Sequence, residues 1–177
     1  MNVTISRILV PIDFSPHAER ALSYATALAG RLGASLDLLH VVEDPVATGA
    51  WHGEVAVPNL TGLRQELVEQ AERRIDRYQA AAEASGAPVV ATVRVGLPAD
   101  AITDYAKTLG IDLIVMGTHG RSGLAHLFMG SVAEHVIRQA PCPVLTLRAA
   151  EARETTERAS EPTTVRAAVG HGGASRE

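Results

Sequence analysis

Five short apolar runs, at residues 8–12, 36–42, 89–95, 113–116 and 144–147, are separated by stretches whose apolar residues recur at helical spacing. Strands joined through helices return in the same direction, so this alternation commits the chain to βαβ units around a parallel sheet. The runs at 8–12 and 113–116 are apolar on both faces and belong in the middle of that sheet. In 89–95 an apolar set (Val89, Ala91, Val93, Val95) alternates with one containing Thr92 and Arg94, and in 144–147 Val144 and Thr146 alternate with Leu145 and Leu147. One-sided alternation marks both as edge strands. Only 3% of the 177 residues are aromatic while 46% are hydrophobic, so the core must come from Val, Leu, Ile and Ala, which suits branched strands under alanine-rich helices.

The helices carry their own punctuation. Ser15 is placed to cap the first, with Pro16 at the position where a missing N–H costs nothing, and Gly30 or Gly33 ends it. In the second, Leu63, Leu67, Ala71, Ile75, Tyr78 and Ala82 form one stripe that Gly86 and Pro88 stop. The third follows Pro98 and closes at Gly110; the fourth spans 131–139, ahead of Pro141. Residues 43–59 form a long connection holding the only tryptophan, Trp51, and length alone leaves it as either a lid or an insertion. The globular unit is expected over 1–148, and 149–177, nearly without large apolar residues, is expected to be a disordered tail.

Charge and cysteine content exclude several partners. Twenty acidic and 16 basic residues are interspersed, net −4, with no basic block to follow a phosphodiester backbone, so nucleic acid is not expected. Cys142, between Pro141 and Pro143, is the single cysteine and reads as a small apolar filler. No apolar stretch is long enough to span a bilayer, and residues 1–7 do not resemble a signal-peptide core, so no membrane association and a cytoplasmic location are expected.

Directly after the fourth run come Gly117, Thr118, His119 and Gly120, then nine residues, then Gly130 and Ser131 at a helix start. Strand, glycine loop and helix start stand in the order a phosphate site needs: glycines permit positive φ and close approach, and first-turn N–H groups with the helix dipole favour an anion. Three glycines at fixed spacing arise by chance at roughly 3 in 10,000 start positions, and requiring Ser or Thr next makes that rarer still. Asp13 reads as a ligand to ribose hydroxyls or to a phosphate-bound metal, because Ser15 and Pro16 already supply the cap and leave its carboxylate free. Arg121 either pairs with phosphate oxygens or stays solvated. His119 and His126 have no spacing that makes a metal site or a nucleophile–base pair.

The spacing Gly117, Gly120, Gly130, Ser131 resembles the signature of the universal stress protein family, in its ATP-binding branch. Similarity extends over ILVPIDFS (8–15), LLHVV (38–42), LIVMGTHG (113–120) and PCPVLTL (141–147). The resemblance implies a three-layer α/β sandwich with a Rossmann-like five-stranded parallel sheet in the order 3-2-1-4-5, the nucleotide lying at the carboxyl ends of strands one and four. It also implies that Pro11 and Asp13 line the ribose side, that the Val41 backbone meets adenine, that Met116 and Gly117 flank the nucleotide, and that Gly120, Gly130, Ser131 and Val132 surround the phosphates. ATP, with Mg2+, is the implied ligand, and a homodimer through 144–147 the implied assembly. The only lysine is Lys107, on the third helix, so there is no Walker A motif and ATP hydrolysis should be slow at most. The expected function is a nucleotide-dependent stress-response regulator. A hydrolysis-driven switch and a binder of AMP or a cyclic nucleotide stand as the alternatives.

Overall fold

The computed structural model describes residues 4–43, 60–118 and 129–148. Strands β1 (Arg7–Pro11), β2 (Ser35–Glu43), β3 (Val89–Gly96), β4 (Leu113–Gly117) and β5 (Val144–Leu147) alternate with helices α1 (Pro16–Leu32), α2 (Leu60–Glu83), α3 (Pro98–Leu109) and α4 (Ser131–Gln139). All pairings are parallel and the sheet order is β3-β2-β1-β4-β5, with β1 central and β3 and β5 at the edges.

Period-two strands divide the core into two layers. Ile8, Val10, Leu36, Leu38, Leu113 and Val115 pack with Ala18, Ala21, Ala25 and Ala29 of α1 and Ile75 and Ala82 of α2. On the other face Leu9, Leu39, Ile114 and Met116 pack with Ile102, Tyr105 and Ala106 of α3 and Ala133 and Val136 of α4. Four buried alanines along α1 let its axis lie close to the central strands, where a larger side chain would hold it off.

Helix α1 begins as its sequence predicts: Ser15 accepts from the Ala18 N–H, Pro16 occupies the first turn, and Gly33 ends the helix with φ +67°. Gly110 ends α3 in the same left-handed way, φ +63°. The α2 stripe departs from expectation at its start. Ala71, Ile75 and Ala82 are buried, whereas Leu63 is exposed and Leu67 half-buried, so the stripe packs from Ala71 onward. Trp51 and nearly all of the 43–59 connection, together with the tail after Ala149, lie outside the described residues.

The amino ends of the strands are closed by a polar network. Asp37 on β2 is only 1% exposed. Its two oxygens receive the Arg7 Nε and Nη2 at 2.7 and 2.8 Å, and Oδ1 also accepts from the Tyr105 hydroxyl at 2.8 Å. Arg7 reaches the Leu109 carbonyl at the end of α3, and Asp112 Oδ2 accepts from the Ser6 and Arg7 backbone N–H groups. A buried carboxylate is tolerated when it is paired and its lone pairs are filled, as here.

Candidate functional site

At the opposite, carboxyl end of the sheet, β1 and β4 are neighbours whose chains leave toward opposite faces, α1 to one and α4 to the other. An open α/β sheet has its natural crevice at such a reversal. A cleft of about 380 Å3 opens there. Its first wall comes from the β1–α1 and β2 ends (Pro11, Ile12, Asp13, Leu39, His40, Val41) and its second from β4 and α4 (Met116, Gly117, Thr118, Gly130, Ser131, Val132). Pro98 and Ile102 of α3 and the carboxylate residue Glu43 also line it.

Eight sequence-predicted residues therefore meet in one cleft: Pro11, Asp13, Val41, Met116, Gly117, Gly130, Ser131 and Val132. Gly120 and Arg121, like His119 and His126, lie outside the described residues. The lining members that sequence reasoning missed include Leu39, His40, Glu43, Pro98, Ile102 and Thr118. His40 was legible as part of the LLHVV run, but nothing in a period-two pattern distinguishes a cleft-lining histidine from a core one.

Two expectations require correction. Asp13 is not a free carboxylate: its Oδ1 accepts from the Ser15 N–H at 3.0 Å and from the Ser15 hydroxyl at 2.6 Å. Because Ser15 Oγ in turn accepts from the Ala18 N–H at 3.2 Å, Asp13 takes part in capping α1 instead of being relieved of it. Gly117 and Gly130 also act differently from expectation. Among the described residues, positive φ occurs at Gly33, Gly86, Gly96 and Gly110, and at Phe14, but not at Gly117 or Gly130. Gly130 has φ −75°, ψ 151°, and its N–H is turned onto the Thr118 carbonyl at 2.7 Å. That bond, with Thr118 N–H on the Leu147 carbonyl at 2.9 Å, joins the two ends of the glycine loop.

Among the described residues, the amides left for an anion are those at the start of α4. Gly130 is the N-cap, no side chain among the described residues caps the helix, and Ser131, Val132 and Ala133 all line the cleft. A first turn without a side-chain cap leaves N–H donors and the positive end of the dipole facing whatever occupies the space. Among the described lining residues there is no Lys or Arg, while Asp13 and Glu43 are acidic.

The family model for the universal stress protein family matches residues 4–148. The chain belongs to the universal stress protein family. It is 30% identical over 158 residues to universal stress protein MJ0577 of Methanocaldococcus jannaschii, covering 84% of this chain and 98% of the relative. Against a universal stress protein of Thermus aquaticus identity is 37% over 145 residues, covering 80% and 97%. The solved structure of the Methanocaldococcus protein superposes with a TM-score of 0.75, covering 84% of this chain and 99% of that one. That of UspA from Lactobacillus plantarum superposes at 0.73, with 32% identity and 83% and 100% coverage. A further universal stress protein, 25% identical with a TM-score of 0.54 and coverage of 82% and 98%, was solved in complex with cAMP. As a member of the family this chain shares the five-stranded parallel sheet in the order 3-2-1-4-5. No helix among its described residues is long and apolar enough to cross a membrane.

Proposed function

We propose that this universal stress protein binds ATP, carried with Mg2+, in the cleft between β1 and β4, and that occupancy regulates its interactions in a stress response. The observation that carries this reading is the α4 N-terminus, without a side-chain cap, opening onto a cleft whose volume lies within the usual range for small-ligand sites, about 300–1,000 Å3. Val41, Leu39, Met116 and Ile102 offer an apolar slot for a base, Pro11 and Asp13 face the sugar, and Ser131 and Val132 face the phosphates with Gly117, Gly120 and Gly130. Gly130 contributes there by lacking a side chain, since its N–H is engaged.

With Asp13 and Glu43 on the lining, a bare polyphosphate is repelled, so the divalent cation travels with the nucleotide. Among the described residues no three His, Cys, Asp or Glu side chains cluster to hold a metal, so Mg2+ would be held chiefly by phosphate and water, with Asp13 as a lining carboxylate that would accept from its hydration shell. Hydrolysis is slow at most, because Lys107 lies in the last turn of α3, toward the closed end of the sheet. The short edge strand β5 pairs two copies into a cytoplasmic homodimer.

Nucleotide released by denaturing freshly purified protein, identified by mass, tests the reading, followed by calorimetry with ATP, AMP and cAMP, each with and without Mg2+. ATP is expected in the extract and to bind tightest with Mg2+. Absence of binding by all three overturns the proposal. The cAMP complex of a 25%-identical relative favours a second reading, a cyclic-nucleotide site, which predicts the reverse order of affinities without dependence on Mg2+.

A further inference from the structure

Phe14 is the one non-glycine residue with positive φ among the described residues, at +64°. A bulky side chain in that region carries strain of about 1–3 kcal/mol and persists only where its surroundings over-determine it. Here they do. The Phe14 ring lies 4.3 Å from the His40 ring, 5.5 Å from that of Tyr78, and beneath the Arg74 guanidinium at 4.0 Å. Tyr78 is anchored in turn to Glu19 Oε1 at 2.8 Å.

His40, 5% exposed, makes a second contact with the same loop. Its Nδ1 lies 2.6 Å from the Ile12 carbonyl, which can only accept, so Nδ1 carries the proton. The Ile12 N–H is held as well, by the Leu39 carbonyl at 2.8 Å. Fixing the Ile12 carbonyl fixes the plane of the 12–13 peptide and with it the direction in which Asp13 leaves the main chain. On the far side of Asp13, the reversal at Phe14 folds Ser15 back so that its N–H and hydroxyl reach Asp13 Oδ1. The carboxylate is therefore held from both sides through Oδ1, with Oδ2 outside these bonds and Asp13 on the cleft lining.

We propose that His40 and Phe14 are positioning residues of the nucleotide site: the imidazole and the ring it stacks on hold the β1–α1 turn so that Asp13 presents one oxygen to the ligand. This rests on the nucleotide reading of the cleft for its consequence, though not for the geometry. The order it creates is local to the 12–15 turn, and core packing alone would not require a specific donor at position 40.

The test uses the full chain and three variants. His40→Leu removes the donor and keeps the bulk, His40→Asn keeps an N–H near the Nδ1 position, and Phe14→Ala removes the stack. Without nucleotide, exchange of the Ser15 amide proton followed by NMR is expected to speed up about tenfold in His40→Leu and Phe14→Ala and to return toward wild type in His40→Asn. Calorimetry with magnesium ATP is expected to show affinity weakened about tenfold by His40→Leu, restored by His40→Asn, and not further weakened by His40→Leu once Asp13→Ala is present. Unchanged Ser15 exchange, or a full tenfold loss added on top of Asp13→Ala, overturns the proposal. If the wild-type chain binds no nucleotide, the functional reading fails and the exchange measurement still decides the positioning. Should His40→Leu not fold, Phe14→Ala carries both measurements, because its ring is only partly buried.

Discussion

The two ends of the sheet are made from the same kinds of residue and solve opposite problems. At the amino end, Arg7, Asp37, Tyr105 and Asp112 satisfy one another and the neighbouring backbone, and Asp37 is shut away from water. At the carboxyl end, Asp13 keeps one oxygen uncommitted and α4 starts without a side-chain cap among the described residues. Polar groups that saturate each other hold α3 and β1 to β2, whereas groups left partly unsatisfied around a cleft are available to a ligand. The saturated network and the cleft thus lie at opposite ends of the same strands, and, with the cleft read as the binding site, substitutions at one end should leave the other's property intact.

Asp37→Ala should break that separation most visibly on the stability side. Removing the acceptor leaves Arg7 with the Leu109 carbonyl alone and the buried Tyr105 hydroxyl with a 3.4 Å contact to Thr92, with an expected loss of about 3 kcal/mol in urea unfolding and no change in nucleotide affinity below the transition. On the binding side, Gly117→Val and Gly130→Val each place a branched side chain on the cleft wall, and affinity should fall about a hundredfold, roughly 2.7 kcal/mol. Val suits the β4 position and Gly130 has ordinary extended backbone, so the unfolding free energy should move by less than about 1 kcal/mol. Unaltered affinity in both variants would remove the glycine loop from the site.

Asp13→Ala sharpens the comparison because it alone should touch both properties. Loss of the Ser15 bonds loosens the α1 cap by about 1 kcal/mol, and loss of Oδ2 weakens magnesium ATP binding about tenfold, both readable by calorimetry. A smaller effect is expected from pH. Burial first, and then the hydrogen bond to Asp37 against the opposing one from Thr92, leaves the Tyr105 hydroxyl above its ordinary value near 10. A group whose folded value is raised stabilises fully below the unfolded value, and that contribution is lost as pH rises through the folded one. Stability should therefore decline above about pH 10, and Tyr105→Phe should flatten the decline in alkaline titration. Least of all, Cys142→Ala should shift the unfolding midpoint by about 0.5 kcal/mol or less, and burial, which pushes the thiol up, should keep alkylation slow at neutral pH.

What could be read in advance follows from which signals are local. Period-two and period-3.6 patterns, with Pro16 and Gly33 as punctuation, determine the elements within a few residues because each is written in adjacent positions. The strand order came through the family resemblance, since pairings between residues about 30 and 100 positions apart leave no local trace. Asp37 illustrates the limit: it sits inside the apolar run 36–42 with nothing local to mark its role, and its burial depends on Arg7 and Tyr105, which are distant in sequence. The left-handed turn at Phe14 had no signal at all, because glycine or asparagine is the usual mark of positive φ. The inward turn of the Gly130 amide was equally hidden, as it depends on where Thr118 ends β4.

The opposed walls of the cleft have a consequence for synthesis. One wall is complete by Glu43, while the other waits for residues up to Ala133, so an emerging chain has no ligand surface until three-quarters of it has left the ribosome. A small molecule spanning both walls then works as a clasp on the finished article, adding stability in proportion to the logarithm of its concentration and nothing to a truncated product. On the nucleotide reading of the cleft, cells whose nucleotide pool collapses would loosen this protein without touching a single covalent bond.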